Sequence, residues 1–102
     1  MEVQIPQHMR FSDEHLVREI LHSCQDIRVI LINLKPGQEL PPQTSSSSVC
    51  LQVVSGLGEL LAGCDWTPAG AGTLRFYPPG EPHGIRAAAE PVSVLATLAP
   101  RP

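Results

Sequence analysis

The spacing of apolar side chains predicts short strands along most of this chain. Residues 27–34, IRVILINL, form an apolar run of strand length, closed by Lys35, Pro36 and Gly37 at turn positions. Residues 15–22, HLVREILH, fit two periods. Leu16, Val17, Ile20 and Leu21 share a helical face with Ser12 as a possible start, whereas alternation sets Leu16 and Ile20 on one side of a strand. The turn-forming residues 23–26 favour a hairpin with the following run, so a strand is expected. Residues 49–55, VCLQVVS, read as a strand stopped by Gly56, residues 59–62 as another, and residues 73–77, 83–87 and 92–98 as the last three. The glycine-rich residues 63–72 read as a turn-rich connection holding the only tryptophan, and the polar, low-complexity residues 38–48, QELPPQTSSSS, as flexible. Residues 1–13 read as an arm with at most one short strand at 3–5, leaving 14–102 as one domain. About eight short strands separated by Gly and Pro describe an all-β sandwich or barrel, and no internal repeat points to a propeller or solenoid.

Composition narrows the picture. A chain of 102 residues with 42% apolar content supports one core and no second domain. Aromatic residues make up only 4%, so Val, Leu and Ile must fill that core, and burial against a partner would add to it. A net charge of −3 with seven scattered basic residues offers no footprint for nucleic acid or an anionic membrane, so neither partner is expected. There is no apolar stretch of membrane-spanning length and no basic, then apolar, leader, which predicts a soluble, unprocessed protein. Three cysteines, Cys24, Cys50 and Cys64, without a Cys-x-x-Cys pair suit a reducing, cytoplasmic location.

Residues 72–87, GTLRFYPPGEPHGIRA, carry the strongest local signal. Two adjacent prolines and a glycine force a turn that aims His83 at a fixed place. The spacing of Gly72, Pro78, Gly80 and His83 resembles the second sequence motif of the cupins, with only the terminal Asn of that motif replaced, by Ala87. Upstream, Gly37 and Gly56 match the frame of the first cupin motif, in which two histidines and a glutamate fall where this chain has Gln43, Ser45 and Val49. The resemblance covers residues 27–98 and implies a cupin-type double-stranded β-helix, a jelly-roll barrel. In that family the residues at these positions bind a divalent metal together with the histidine matched by His83; here one of the four remains.

Alternation places residues 43, 45 and 49 on the same side as Leu51 and Val53, the interior. Gln43, Ser45, Val49, Leu51 and His83 are therefore expected to line a cavity for a small organic ligand. Cys50 has the opposite parity and reads as a small apolar residue on the other face; only a bulge would turn it inward as a thiolate ligand. A transition-metal site takes three or four N, O or S donors. His83, Gln43 and Glu39, whose direction is obscured by Pro41 and Pro42, fall short of one, and His8, His15 and His22 lie outside the motif. No tightly held cofactor is expected; the alternative is a divalent metal loosely bound at His83. His83 itself reads either as a structural, hydrogen-bonded histidine or as a polar group at a ligand cavity. Neither the serine run nor the glycine pairs fit a nucleophile elbow or a phosphate cradle. The leading expectation is a ligand-binding barrel, against a metal-dependent enzyme of dioxygenase or isomerase type using His83, or a purely structural dimer module. Apolar residues at both parities of 27–34 and 49–54 ask for burial on both faces, and a homodimer is the expected result.

Overall fold

In the computed structural model, which describes residues 1–102, alternate residues of the longest strands turn inward. Val49, Leu51 and Val53 on one strand and Val92, Val94 and Ala96 on its neighbour are buried, and form the middle of an apolar cluster that also takes Ile30, Ile32, Leu34 and Leu60. Tyr77 is the one aromatic ring in it; its hydroxyl donates to the Leu61 carbonyl at 2.6 Å, which satisfies a group that burial would otherwise penalise.

Seven antiparallel strands surround this core: β1 (Val17–Ser23), β2 (Arg28–Leu34), β3 (Glu39–Gln43), β4 (Ser48–Ala62), β5 (Asp65–Gly70), β6 (Leu74–Tyr77) and β7 (His83–Ala99). The long strands β4 and β7 pair with each other from Ser48 and Ala99 to Leu60 and Ile85, and each serves two layers. One layer runs β1, β2, the second half of β7, the first half of β4, then β6; the other runs β3, the first half of β7, the second half of β4, then β5. The result is the double-stranded β-helix that the sequence resemblance implies.

The two long strands correct the expected boundaries. Residues 49–55 and 59–62 are one strand, as are 83–87 and 92–98. Gly56 does not stop β4 but bends it: its φ is +84°, the register shifts on either side of it, and a Cβ there would fall 1.9 Å from the Pro91 carbonyl oxygen. The bend carries the chain from one layer to the other. The connection expected over 63–72 contains β5, paired with β4 from Leu57 and Gly70 to Ala62 and Asp65. The segment expected to be flexible, 38–48, contains β3, whose Pro41 and Pro42 are tolerated because the strand pairs on one side only, with β7. The hairpin of β1 and β2 forms as expected, with an irregularity between Ile20 and His22.

The amino-terminal arm carries no strand at 3–5. Residues Ile5–His8 form a turn of 3-10 helix, with Pro6 at a position where its missing N–H is not needed. The arm lies against the outer side of the first layer. Asn33, fully buried on β2, donates through Nδ2 to the His8 carbonyl at 3.2 Å and accepts at Oδ1 from the Ser93 hydroxyl at 2.7 Å. The His8 ring meets the Glu19 carboxylate at 2.5 Å.

Candidate functional site

The polar chemistry of the barrel gathers where β3 meets the start of β7. The turn over Pro78 to Glu81 is closed by the Glu81 N–H donating to the Pro78 carbonyl at 3.1 Å, and is tied across by the Gly80 N–H donating to the Ser45 carbonyl at 2.9 Å. These bonds fix the entry into β7, whose first residue, His83, is 5% exposed and pairs in register with Gln43. The His83 ring sits 5.8 Å from the Tyr77 ring, and its Nε2 lies 3.4 Å from Gln43 Nε2. Its Nδ1 is buried without a hydrogen-bond partner. Burial pushes the His83 imidazole below its ordinary pKa of 6.5, and the Glu81 backbone pulls more weakly the other way. At neutral pH the ring is therefore uncharged.

His83 and Gln43 form the polar wall of a cavity of about 40 Å³. Val49, Leu51, Leu40 and Ile32 supply its apolar walls, and Arg18 of β1 stands at its edge. The space holds a water or two, against the several hundred Å³ of a pocket that engulfs an organic molecule. Gln43 and Arg18 are exposed, so the cavity opens to solvent on its polar side.

Four of the five expected lining residues, Gln43, Val49, Leu51 and His83, come together here. Ser45 does not. The chain leaves β3 after Gln43, so strand alternation stops applying; Ser45 turns back, and its hydroxyl accepts the Ser47 N–H at 3.0 Å. Glu39 is corrected as well. The register shift between Leu40 and Gln43, across the two prolines, turns Leu40 inward above the shift and Gln43 inward below it, and leaves Glu39 exposed opposite Arg86. Cys50 points away from the cavity into an outer groove with Phe76 and Thr97, and burial raises its thiol pKa, which works against a thiolate ligand there. Arg18 and Leu40 were missed in the sequence. Only the pairing of Arg18 with the buried Ile32 shows that it faces inward.

The donor set does not fit the divalent metal that the family resemblance implies. One imidazole and one amide face the cavity, Val49 has no donor atom, and nowhere in the chain do three His, Cys, Asp or Glu side chains gather as a metal site requires. What the arrangement offers is hydrogen bonding: an amide, a neutral imidazole and a guanidinium around an apolar hollow.

Solved structures similar to this chain share its architecture. An RmlC-like cupin protein from Desulfovibrio desulfuricans is 33% identical, with 89% of this chain and 88% of that one covered and a TM-score of 0.82. TT1209 from Thermus thermophilus is 26% identical with both chains covered in full and a TM-score of 0.89. An uncharacterized conserved protein with a double-stranded β-helix domain from Klebsiella pneumoniae is 24% identical, covers 97% of this chain and 89% of its own, and has a TM-score of 0.88. No family model matches the chain, and no curated protein matches it at a significant level.

Proposed function

This chain belongs to the RmlC-like cupins, and from that premise we propose that it is a binding barrel with a degenerate metal site, taking a small organic ligand at the cavity mouth between Gln43, His83 and Arg18. The observation that supports this best is the register pairing of buried His83 with exposed Gln43 at a hollow that Arg18 also lines, which sets three polar side chains around one apolar opening. The competing reading, a metal-dependent enzyme built on His83, requires donors that Gln43, Val49 and Ser45 do not supply.

The protein acts in this reading as a homodimer, because Phe76 and Leu74 stand exposed on the outer face of the first layer. Its three cysteines are free thiols, which fits a cytoplasmic home. No helix is long and apolar enough to cross a membrane.

Elemental analysis of the purified protein, before and after incubation with Fe, Mn, Ni and Zn, tests the metal-free part directly. We expect far less than one metal per chain in every case. Metal near one per chain that disappears in His83→Ala would overturn this reading and favour the enzyme. The binding part is tested by following the His83 and Gln43 side-chain NMR signals against small acids, alcohols and amides; no response to any class would leave a structural barrel.

A further inference from the structure

We propose that the ligand of this site is a small carboxylic acid bound as its anion, with its carboxylate on Arg18 and its body over the apolar hollow beside Gln43 and His83. The inference rests on the binding reading above and adds the chemical class.

Arg18 is the one fixed charge at the cavity. No Asp or Glu side chain lines it, and His83 is the only other ionisable group there. The chain makes three ion pairs, His8 with Glu19, Lys35 with Asp13 and Arg86 with Glu59, and Arg18 is in none of them. The other two arginines that touch an aromatic ring or an acid are used structurally: Arg86 stacks 4.5 Å from the Trp66 ring while bonding Glu59 at 2.7 Å, and Arg75 stands over Tyr77. Arg18 has no such employment. It is held in place by β1, where its pairing with Ile32 turns it to the inner side of the layer, at the open edge of the barrel.

A free guanidinium offers a planar fork of donors that matches a carboxylate in two parallel hydrogen bonds, which an uncharged oxygen cannot return. Its surroundings suit the remainder of a short organic acid. Ile20, two residues along on the same side of β1 and paired with the buried Ile30, is 56% exposed, an apolar surface in want of cover. The hollow of about 40 Å³ takes a terminal methyl or hydroxyl group rather than a whole ligand. Gln43, with both a donor and an acceptor, and the His83 ring stand ready for a hydroxyl or carbonyl near that end. One arginine beside a neutral histidine balances a single negative charge, so a monoanionic acid fits better than a phosphate dianion.

Calorimetric titration at constant ionic strength decides the matter, with propionate and lactate set against propanol and propanamide, and against inorganic phosphate. We expect the two acids to bind at least about tenfold more tightly than their uncharged counterparts, the difference expected for charge-assisted hydrogen bonds. Arg18→Gln should erase that preference, and Arg18→Lys should keep part of it. Because Arg18 is exposed, the melting temperature of both variants should stay near that of the parent, so loss of binding is not loss of fold. Equal binding of acids and uncharged counterparts, or an Arg18→Gln variant that binds acids as before, overturns the carboxylate assignment while leaving the binding barrel in place. Phosphate binding as tightly as the acids also overturns it, by reducing Arg18 to a general anion contact. Silence from every probe, acid and uncharged alike, removes both this inference and the binding reading on which it stands.

Discussion

A single side chain, His83, carries most of what is unusual here, and its burial has a consequence for stability. The folded protein holds the imidazole below its ordinary pKa of 6.5 because burial disfavours the charged ring. The unfolded chain takes up a proton near that ordinary value, and the folded one does so only at lower pH. Between the two the unfolded state binds more protons, so stability is full above about pH 6.5 and is lost as pH falls through the folded value. Urea denaturation between about pH 7.5 and pH 5 should show this loss, and a His83→Asn variant should show a shallower slope. Identical slopes would mean that His83 titrates alike in both states and is not the buried neutral group described above. At the same scale, the part of the site within a regular strand was legible beforehand: alternation set Val49 and Leu51 inward, and the proline turn aimed His83. Ser45 was misplaced where alternation ends with β3, and the direction of Glu39 could not be counted across the two prolines at which the register shifts. Arg18 was invisible, since its inward direction comes from a strand partner and not from its neighbours in sequence.

At the scale of the element, the barrel is governed by where strands bend. Two places show how different glycine positions are. Gly37, in the turn between β2 and β3, has a φ of +89° and open space around it, whereas Gly56 has a φ of +84° and the Pro91 carbonyl where a side chain would stand. Gly37→Ala should then cost only the backbone penalty, about 1–2 kcal/mol. Gly56→Ala adds a clash with backbone that cannot move aside and should cost at least about 3 kcal/mol. Urea midpoints of the two variants make the comparison, and equal losses would show that the close approach at Gly56 is relieved cheaply. This also explains why the fold was so legible while the chemistry was not. The four glycines of the two motif frames, Gly37, Gly56, Gly72 and Gly80, all hold positive φ, so they record the path of the backbone whatever the barrel binds. Positions 43, 45 and 49, where the resemblance puts metal ligands, carry Gln, Ser and Val and have no comparable hold on the backbone. Fusing the expected strands across Gly56 and across Pro91 was beyond the sequence, because a glycine that bends a strand and one that ends it look alike until the pairing on both sides is known.

At the scale of the whole molecule, the first layer has an outer face that one barrel leaves unfinished. Strand pairing lines up Phe76, Cys50, Thr97, Val29 and His22 in one row across β6, β4, β7, β2 and β1. At one end of the row the Phe76 ring stands 70% exposed. At the other end the arm and the sheet enclose a groove of about 510 Å³ lined by Met1, Val3, Ile5, Leu21, Val29 and Leu95. The row spans about 19 Å at the usual strand spacing, with Thr97 at its middle. A two-fold axis near Thr97 would seat each Phe76 in the groove of the other copy, meeting the requirement that a symmetric interface be complementary to itself. A bulky aromatic anchor entering an apolar pocket is also the feature that dominates interface energy. Sedimentation measurements should therefore find a dimer, Phe76→Ser should give a monomer, and so should Val3→Asp at the opposite end of the row. If Phe76→Ser dissociates the dimer and Val3→Asp does not, the rings meet each other across a different axis; a parent protein that sediments as a monomer at high concentration removes the second copy altogether. The core argues for the dimer in its own way. With one aromatic ring inside the barrel and Phe76 left outside it, the largest apolar side chain still available for burial lies where only a partner can reach it.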